Sequence, residues 1–82
     1  MFTVKLYSDG RLFLVQTKRI VIYRKNSDTL ELVTGEESFF IRDPNAKPRV
    51  EDGTRETYFS HAFIENEQGA TTQRVSHDMA ML

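Results

Sequence analysis

Hydrophobic residues recur with a period close to two along nearly the whole chain, beginning with Phe2, Val4 and Leu6. A period of two places alternate side chains on opposite faces of a β-strand. No stretch of the sequence carries apolar residues at i, i+3, i+4 and i+7, which is the spacing of an amphipathic helix. The pattern therefore predicts an all-β protein.

Turn signals divide this pattern into five to six strands of an antiparallel meander. Asp9-Gly10 is typical of a tight hairpin, because this dipeptide accepts the positive φ angles that twisted strands need. The other predicted turns, rich in Asn, Asp, Ser or Gly, lie at 25–28, 34–37 and 65–69. We expect the sheet to curl, or to close into a small barrel or sandwich.

Two places in the pattern are less well marked. The runs Leu12–Gln16 and Arg19–Arg24 are separated without a strong turn residue, so they are one long bent strand or two strands joined by a bulge. Arg55–Ile64 is the strongest late strand, and Ala70–Val75 is a final, more polar strand. Ser60 and His61 are expected to be consecutive residues of this late strand.

The expected domain covers residues 1–75 and contains one long loop at 43–54. Pro44 and Pro48 each lack a backbone donor for a sheet ladder, which excludes a central strand there. Residues 76–82 are expected to form a flexible tail with at most one short helical turn.

Several predicted strands are apolar on both faces. The clearest are Leu12–Val15, Ile20–Tyr23 and Phe39–Ile41. A strand buried on one face alternates between apolar and polar residues, so a two-sided strand needs two covers. With no helix to supply the second cover, it comes from curling of the sheet, from a second copy in a homodimer, or from a partner protein.

Charge and cysteine content favour a cytoplasmic protein. The 82 residues carry a formal net charge of −1 and no cysteine. Small secreted domains usually depend on disulfides, and no signal-peptide pattern precedes the first strand. No apolar run is long enough to span a bilayer. We therefore expect no membrane association.

Catalytic and metal-binding chemistry is weakly represented in the sequence. His61 and His77 are the only nitrogen ligands, and their spacing matches no metal motif. Ser60 and His61 are adjacent in a predicted strand, so their side chains are expected to point to opposite faces and not to pair. We expect no enzyme activity, no cofactor and no metal.

A nucleic-acid or nucleotide binder is an alternative reading. Basic residues surround one tyrosine in the third run, and such a sheet face can stack bases. The residues concerned are Lys18, Arg19, Tyr23, Arg24 and Lys25. Acidic residues follow closely, however, and ion pairing across strands would neutralise the patch.

The leading hypothesis is a non-enzymatic protein-interaction module that acts by steric occlusion of a larger cytosolic protein or complex. Aromatic residues anchor protein interfaces, and the long charged loop offers polar contacts. The candidate binding residues are Phe39, Phe40, Tyr58, Phe63, Arg49 and Glu51. A third hypothesis is a small structural subunit of a larger assembly.

The chain starts with a strand at Met1, continues through short hairpins, and ends with two strands joined by the turn Glu65–Gly69. In this organisation it resembles small accessory proteins of phages and prophages, among them anti-CRISPR proteins and other inhibitors of host defence. The resemblance implies an inhibitor that acts on a host protein in the host cytoplasm.

Overall fold

The computed structural model describes residues 1–46 and 58–78. These residues form strands and turns and contain no helix, so the predicted all-β class is confirmed. The strands are β1 (Phe2–Ser8), β2 (Arg11–Thr17), β3 (Val21–Asn26), β4 (Thr29–Thr34), β5 (Glu37–Arg42), β6 (Tyr58–Phe59), β7 (His61–Glu65) and β8 (Thr71–Ser76).

The strands form two four-stranded sheets that pack into an open sandwich. Sheet A has the order β2-β1-β7-β8, and all its neighbours are antiparallel. Sheet B has the order β3-β4-β5-β6, in which only the short β5–β6 pair is parallel. The described residues form eight strands, more than the five to six predicted. The strand order also differs from a meander, because β1 pairs with the distant β7 as well as with β2.

The chain changes sheet at two places where the sequence shows no strong turn signal. Residues 18–20 carry it from β2 in sheet A to β3 in sheet B, so the two runs form neither one bent strand nor a bulged pair. Ser60 carries it back, so the part of the predicted strand Arg55–Ile64 that the structure describes, from Tyr58 onward, is split into β6 and β7. Such crossings keep apolar residues on both sides in the core, so they leave the hydrophobic pattern unbroken.

The predicted hairpin turns are present. Ser8 lies opposite Arg11, which leaves Asp9-Gly10 as a two-residue loop with Gly10 at φ 70°. Asn26 Oδ1 accepts a hydrogen bond from Asp28 N at 2.9 Å, the local side-chain bond expected of an asparagine in a turn.

The hydrophobic core lies between the inner faces of the two sheets. Val4 and Leu6 of β1 are fully buried against Leu30 and Leu32 of β4 and their neighbours. Partly buried apolar residues at 15, 20 and 22 pack around this cluster. Residues of the predicted loop 43–54 beyond 46, and residues of the predicted tail beyond 78, lie outside the described part. Within that part, no helix has the length and apolarity to cross a membrane.

Candidate protein-binding surface

The large apolar side chains with the highest exposed fractions lie on β2, an edge strand of sheet A. Leu12 is 54% exposed and Leu14 is 55% exposed. Directly opposite residues of an antiparallel pair share a face. Leu12 lies opposite Tyr7 of β1, whose other neighbour is His61 of β7. These side chains therefore belong to the outer face of sheet A, which turns away from the core.

Three rings form a connected cluster on this outer face. The rings of Tyr7 and His61 stack at 4.9 Å with an interplanar angle of 10°. The ring of Phe63 meets each of them edge-on, with centroids 5.5 Å apart in both pairs. All three rings are half-buried, and the two leucines lie on the same face, with Lys5 between Leu14 and Phe63. We call these five side chains the aromatic face: Tyr7, Leu12, Leu14, His61 and Phe63.

The charges around the aromatic face are unevenly satisfied. Lys5 Nζ lies 2.8 Å from Glu65 Oε2, and this hydrogen bond raises the pKa of the Lys5 ammonium. The guanidinium of Arg74 lies 5.3 Å from the ring centroid of Phe63, where it makes a cation–π contact. Among the described residues, Arg74 has no carboxylate partner. The aromatic face thus has one neutralised ion pair, Lys5–Glu65, whose lysine lies between Leu14 and Phe63, and one cation, Arg74, beside Phe63.

Strand β2 also exposes an apolar ring on its inner side. Phe13 contacts Phe39 and Phe59 of sheet B at centroid distances of 5.7 and 6.2 Å. It nevertheless remains 46% exposed, because β2 lies at the rim of the sandwich. Both faces of this edge strand therefore present hydrophobic surface to solvent.

The structure separates the aromatic residues that the sequence grouped as binding anchors. Phe39 is 5% exposed and belongs to the core, and Phe40 on the opposite face of β5 is 7% exposed. Lys25 Nζ lies 4.8 Å above the ring of Phe40, and Tyr58 packs edge-on against it at 6.0 Å. Phe39 and Phe40 therefore offer no free anchor, since β5 is flanked by β4 and β6 and covered on both faces.

Of the remaining predicted anchors, Tyr58 of β6 is half-buried beside Phe40 in sheet B. Arg49 and Glu51 lie outside the described residues. Of the four predicted anchors that the structure describes, only Phe63 belongs to the aromatic face. The sequence signal that could have found Leu12 and Leu14 was present in the two-sided run, but nothing local marks β2 as an edge.

The residues of the predicted basic patch do not converge on one surface. The Tyr23 hydroxyl donates a hydrogen bond to the Glu31 carboxylate, and this bond raises the pKa of Tyr23. Lys25 covers Phe40 on the outer face of sheet B. Arg24 lies on the other side of β3 and donates to the His77 carbonyl oxygen at 2.8 Å.

The other two basic residues, Lys18 and Arg19, lie in the exposed crossing between the sheets. Thr17 Oγ1 accepts a hydrogen bond from Arg19 N at 3.2 Å, which fixes the backbone of the crossing. These two cations therefore lie at the end of β2 and not on a sheet face with Tyr23.

Ser60 and His61 do pair, contrary to expectation. Ser60 Oγ lies 3.0 Å from His61 Nδ1, because Ser60 is a bend between β6 and β7 and not a strand residue. Ser60 Oγ also donates to the Tyr7 carbonyl oxygen at 3.0 Å. A hydroxyl has one proton, so this bond leaves His61 Nδ1 as the donor to Ser60. The pair consequently holds the sheet crossing, and His61 is not placed to remove the serine proton.

A groove of about 790 Å³ lies at one end of the sandwich, beside the β1–β2 turn and β6. Arg11 borders it and donates to Ser8 Oγ at 3.0 Å and to the Tyr58 carbonyl oxygen at 3.2 Å. Its guanidinium also lies 4.9 Å from the ring centroid of Phe59. These contacts tie the hairpin turn to β6. Within residues 1–46 and 58–78, no three His, Cys, Asp or Glu side chains are grouped to hold a metal ion.

Comparison of the chain with protein-family models, with curated proteins and with solved structures gave no match.

Proposed function

We propose that this protein is a non-enzymatic interaction module whose aromatic face docks on a larger protein and blocks it sterically. The observation that carries the proposal is the aromatic face itself. Three half-buried rings and two leucines more than half exposed lie on the outer face of a four-stranded sheet. Exposed apolar side chains that cluster on one sheet face and are rimmed by polar residues support an interaction site.

The chemistry of the surface favours a protein partner over a nucleic acid. Nucleic-acid sites surround their stacking rings with several cations that neutralise phosphates. Here Lys5 is already paired with Glu65, which leaves Arg74 as the cation beside Phe63. The partner we infer presents apolar side chains to the rings and a carboxylate to Arg74. Aromatic and arginine residues are the types that dominate binding energy at such interfaces.

Steric occlusion requires only a rigid complementary surface, and a sheet provides one. The rings project from β1 and β7, the two central strands of sheet A, whose inner residues Val4 and Ala62 are buried in the core. The backbone under the aromatic face is therefore fixed before binding, so little conformational entropy is lost on docking. The resemblance to phage and prophage accessory proteins makes a host protein the target to test first.

The test places a photo-crosslinking phenylalanine analogue at position 63, and at position 21 as the control. Val21 is also an exposed apolar strand residue, 43% exposed, but it lies in sheet B. We expect adducts with a host protein from position 63 only. The captured protein is then purified, and its affinity is measured for the wild type, Phe63→Gln, Arg74→Glu and Val21→Gln.

Phe63→Gln is expected to weaken binding at least about 30-fold, since truncation of an anchor residue costs about 2 kcal/mol or more. Arg74→Glu should reduce the affinity by a smaller factor than Phe63→Gln does. That factor should be larger at low salt, where the charge is less screened. Val21→Gln should leave the affinity unchanged. Equal affinities for the wild type and a folded Phe63→Gln variant, with folding verified by circular dichroism, would overturn the proposal.

A further inference from the structure

The two sheets have four edge strands within the described residues, and three of them resist further pairing. Strand β6 has two residues. Strand β3 carries Arg24 and Lys25 and a break in register beside them, and β8 is polar from Thr71 to Arg74 and pairs with β7 through a second irregularity. Short length, charged side chains and bulges are the devices that protect edges.

Strand β2 is seven residues long, has no bulge, and carries a charge only at its first residue, Arg11. It pairs with β1 in one regular register over all seven residues, from Arg11 to Thr17. Its centre is apolar on both faces and lacks proline and charge. An exposed edge of this length and composition is a template for another strand.

The backbone groups available on that edge follow from one hydrogen bond. The Tyr7 carbonyl oxygen accepts from Ser60 N at 2.7 Å, so the backbone of Tyr7 is turned toward β7 and away from β2. Opposite residues of an antiparallel pair turn their backbone groups toward each other or both away. Leu12, opposite Tyr7, therefore turns its N–H and C=O to the free edge, as do Leu14 and Gln16.

We propose that two copies of the chain pair antiparallel through β2, about a two-fold axis at Leu14. This register pairs all seven residues of the strand, because Leu14 is its midpoint. It places Leu14 opposite Leu14 of the second copy and Leu12 opposite Gln16, and these are the residues whose backbone groups are available. Sheet A then becomes half of one continuous eight-stranded sheet.

The charges at the ends of β2 complement each other in this register. Asp9 lies before the strand, and Lys18 and Arg19 follow it. Antiparallel pairing about Leu14 brings the β1–β2 turn with Asp9 of one copy beside the crossing with Lys18 and Arg19 of the other, twice. Arg11, at the same end as Asp9, is held by Ser8 Oγ and the Tyr58 carbonyl oxygen. The same pairing packs Phe13 beside Val15 and joins the two aromatic faces into one. A second copy thus pairs the free backbone groups of the edge and covers its apolar side chains.

The test is the oligomeric state of the full chain by sedimentation velocity across the micromolar range. We expect a reversible dimer for the wild type. Leu14→Lys and Leu14→Glu should each be monomeric, because like charges then face each other across the axis. An equimolar mixture of the two variants should recover the dimer, since Lys and Glu then lie opposite each other. Val21→Lys, the same change on the β3 edge, should remain dimeric.

Recovery in the mixture depends on residue 14 facing itself, so it tests the register as well as the surface. Urea denaturation of each variant separates loss of pairing from loss of folding. A monomeric wild type at high micromolar concentration, or a dimer that persists in Leu14→Lys, overturns the proposal. Phe63 lies two strands from the β2 edge, so we expect the Phe63→Gln variant to remain dimeric. Dimerisation and binding of the partner protein can then be tested separately.

Discussion

The ring of Tyr7 stacks on the ring of His61, with centroids 4.9 Å apart and planes within 10° of parallel. The contact joins β1 to β7 on the outer face of sheet A. The contact makes the His61 ring part of an apolar surface. The Nδ1 atom of the same ring is hydrogen-bonded to Ser60 Oγ. The residues that resemble a catalytic pair in the sequence therefore stabilise the crossing between the sheets.

The hydrogen bonds at this crossing predict the tautomer of His61. Since Ser60 Oγ donates to the Tyr7 carbonyl oxygen, the neutral imidazole should carry its proton on Nδ1. Long-range proton–nitrogen correlation spectra distinguish the two tautomers. Ser60→Ala should cost about 1 kcal/mol of unfolding free energy and relax this preference. An unprotonated Nδ1 in the neutral ring would show that Ser60 donates to His61 instead.

The core between the sheets predicts a large effect of truncation. Leu30 and Ile41 are fully buried at directly opposite positions of the neighbouring strands β4 and β5. Ile41→Ala should lower the free energy of unfolding by about 2–5 kcal/mol, because it removes buried methylenes and leaves a cavity. Val21→Ala should change it by less than about 0.5 kcal/mol, since this side chain is exposed. Urea denaturation measures both.

The β1–β2 turn predicts a backbone effect free of steric contacts. Gly10 has φ +70°, and a Cβ added there meets no atom within 4 Å. Gly10→Ala should therefore cost about 1–2 kcal/mol through the left-handed backbone alone. Gly10→Asn should cost less, since asparagine tolerates this region. Equal stability of the alanine variant and the wild type in thermal denaturation would contradict the assigned conformation.

The Tyr23–Glu31 hydrogen bond predicts a delayed phenol ionisation. The bond raises the pKa of Tyr23 above its usual 10.0. The folded state thus retains this proton longer than the unfolded state, so the contribution to stability is complete below pH 10.0 and is lost as the pH rises through the folded pKa. Ultraviolet titration of the wild type minus Tyr23→Phe isolates this group. In Glu31→Gln, the transition should move back toward the ordinary pH.

The pairing partners of the strands were beyond local reasoning. Asp9-Gly10 and the Asn-Ser-Asp turn after Lys25 predicted two hairpins, because turn chemistry acts over a few residues. The pairing of β1 with β7 was not predicted, because it depends on which distant apolar strands fit one core. The crossing at Ser60 was hidden for the same reason: Phe59 before it and Ala62 after it are both buried.

The candidate site was predicted in kind but not in place. The two-sided run in β2 indicated surplus apolar surface, and Phe63 was among the predicted anchors. Phe40 was grouped with it because both are aromatic strand residues, yet Lys25 and Tyr58 cover Phe40. Whether a two-sided strand is buried or exposed depends on its position in the sheet, which is set by long-range pairing.

The period of two by itself determined an all-β chain, since alternation fixes which side chains share a strand face. The local turn residues determined where hairpins reverse, since glycine and asparagine act on their own backbone. Only the tertiary structure decided that β5 lies inside sheet B while β2 lies at the edge of sheet A. The physical reason is that burial is a property of neighbours, and the neighbours of Leu14 on its free side are not encoded within β2.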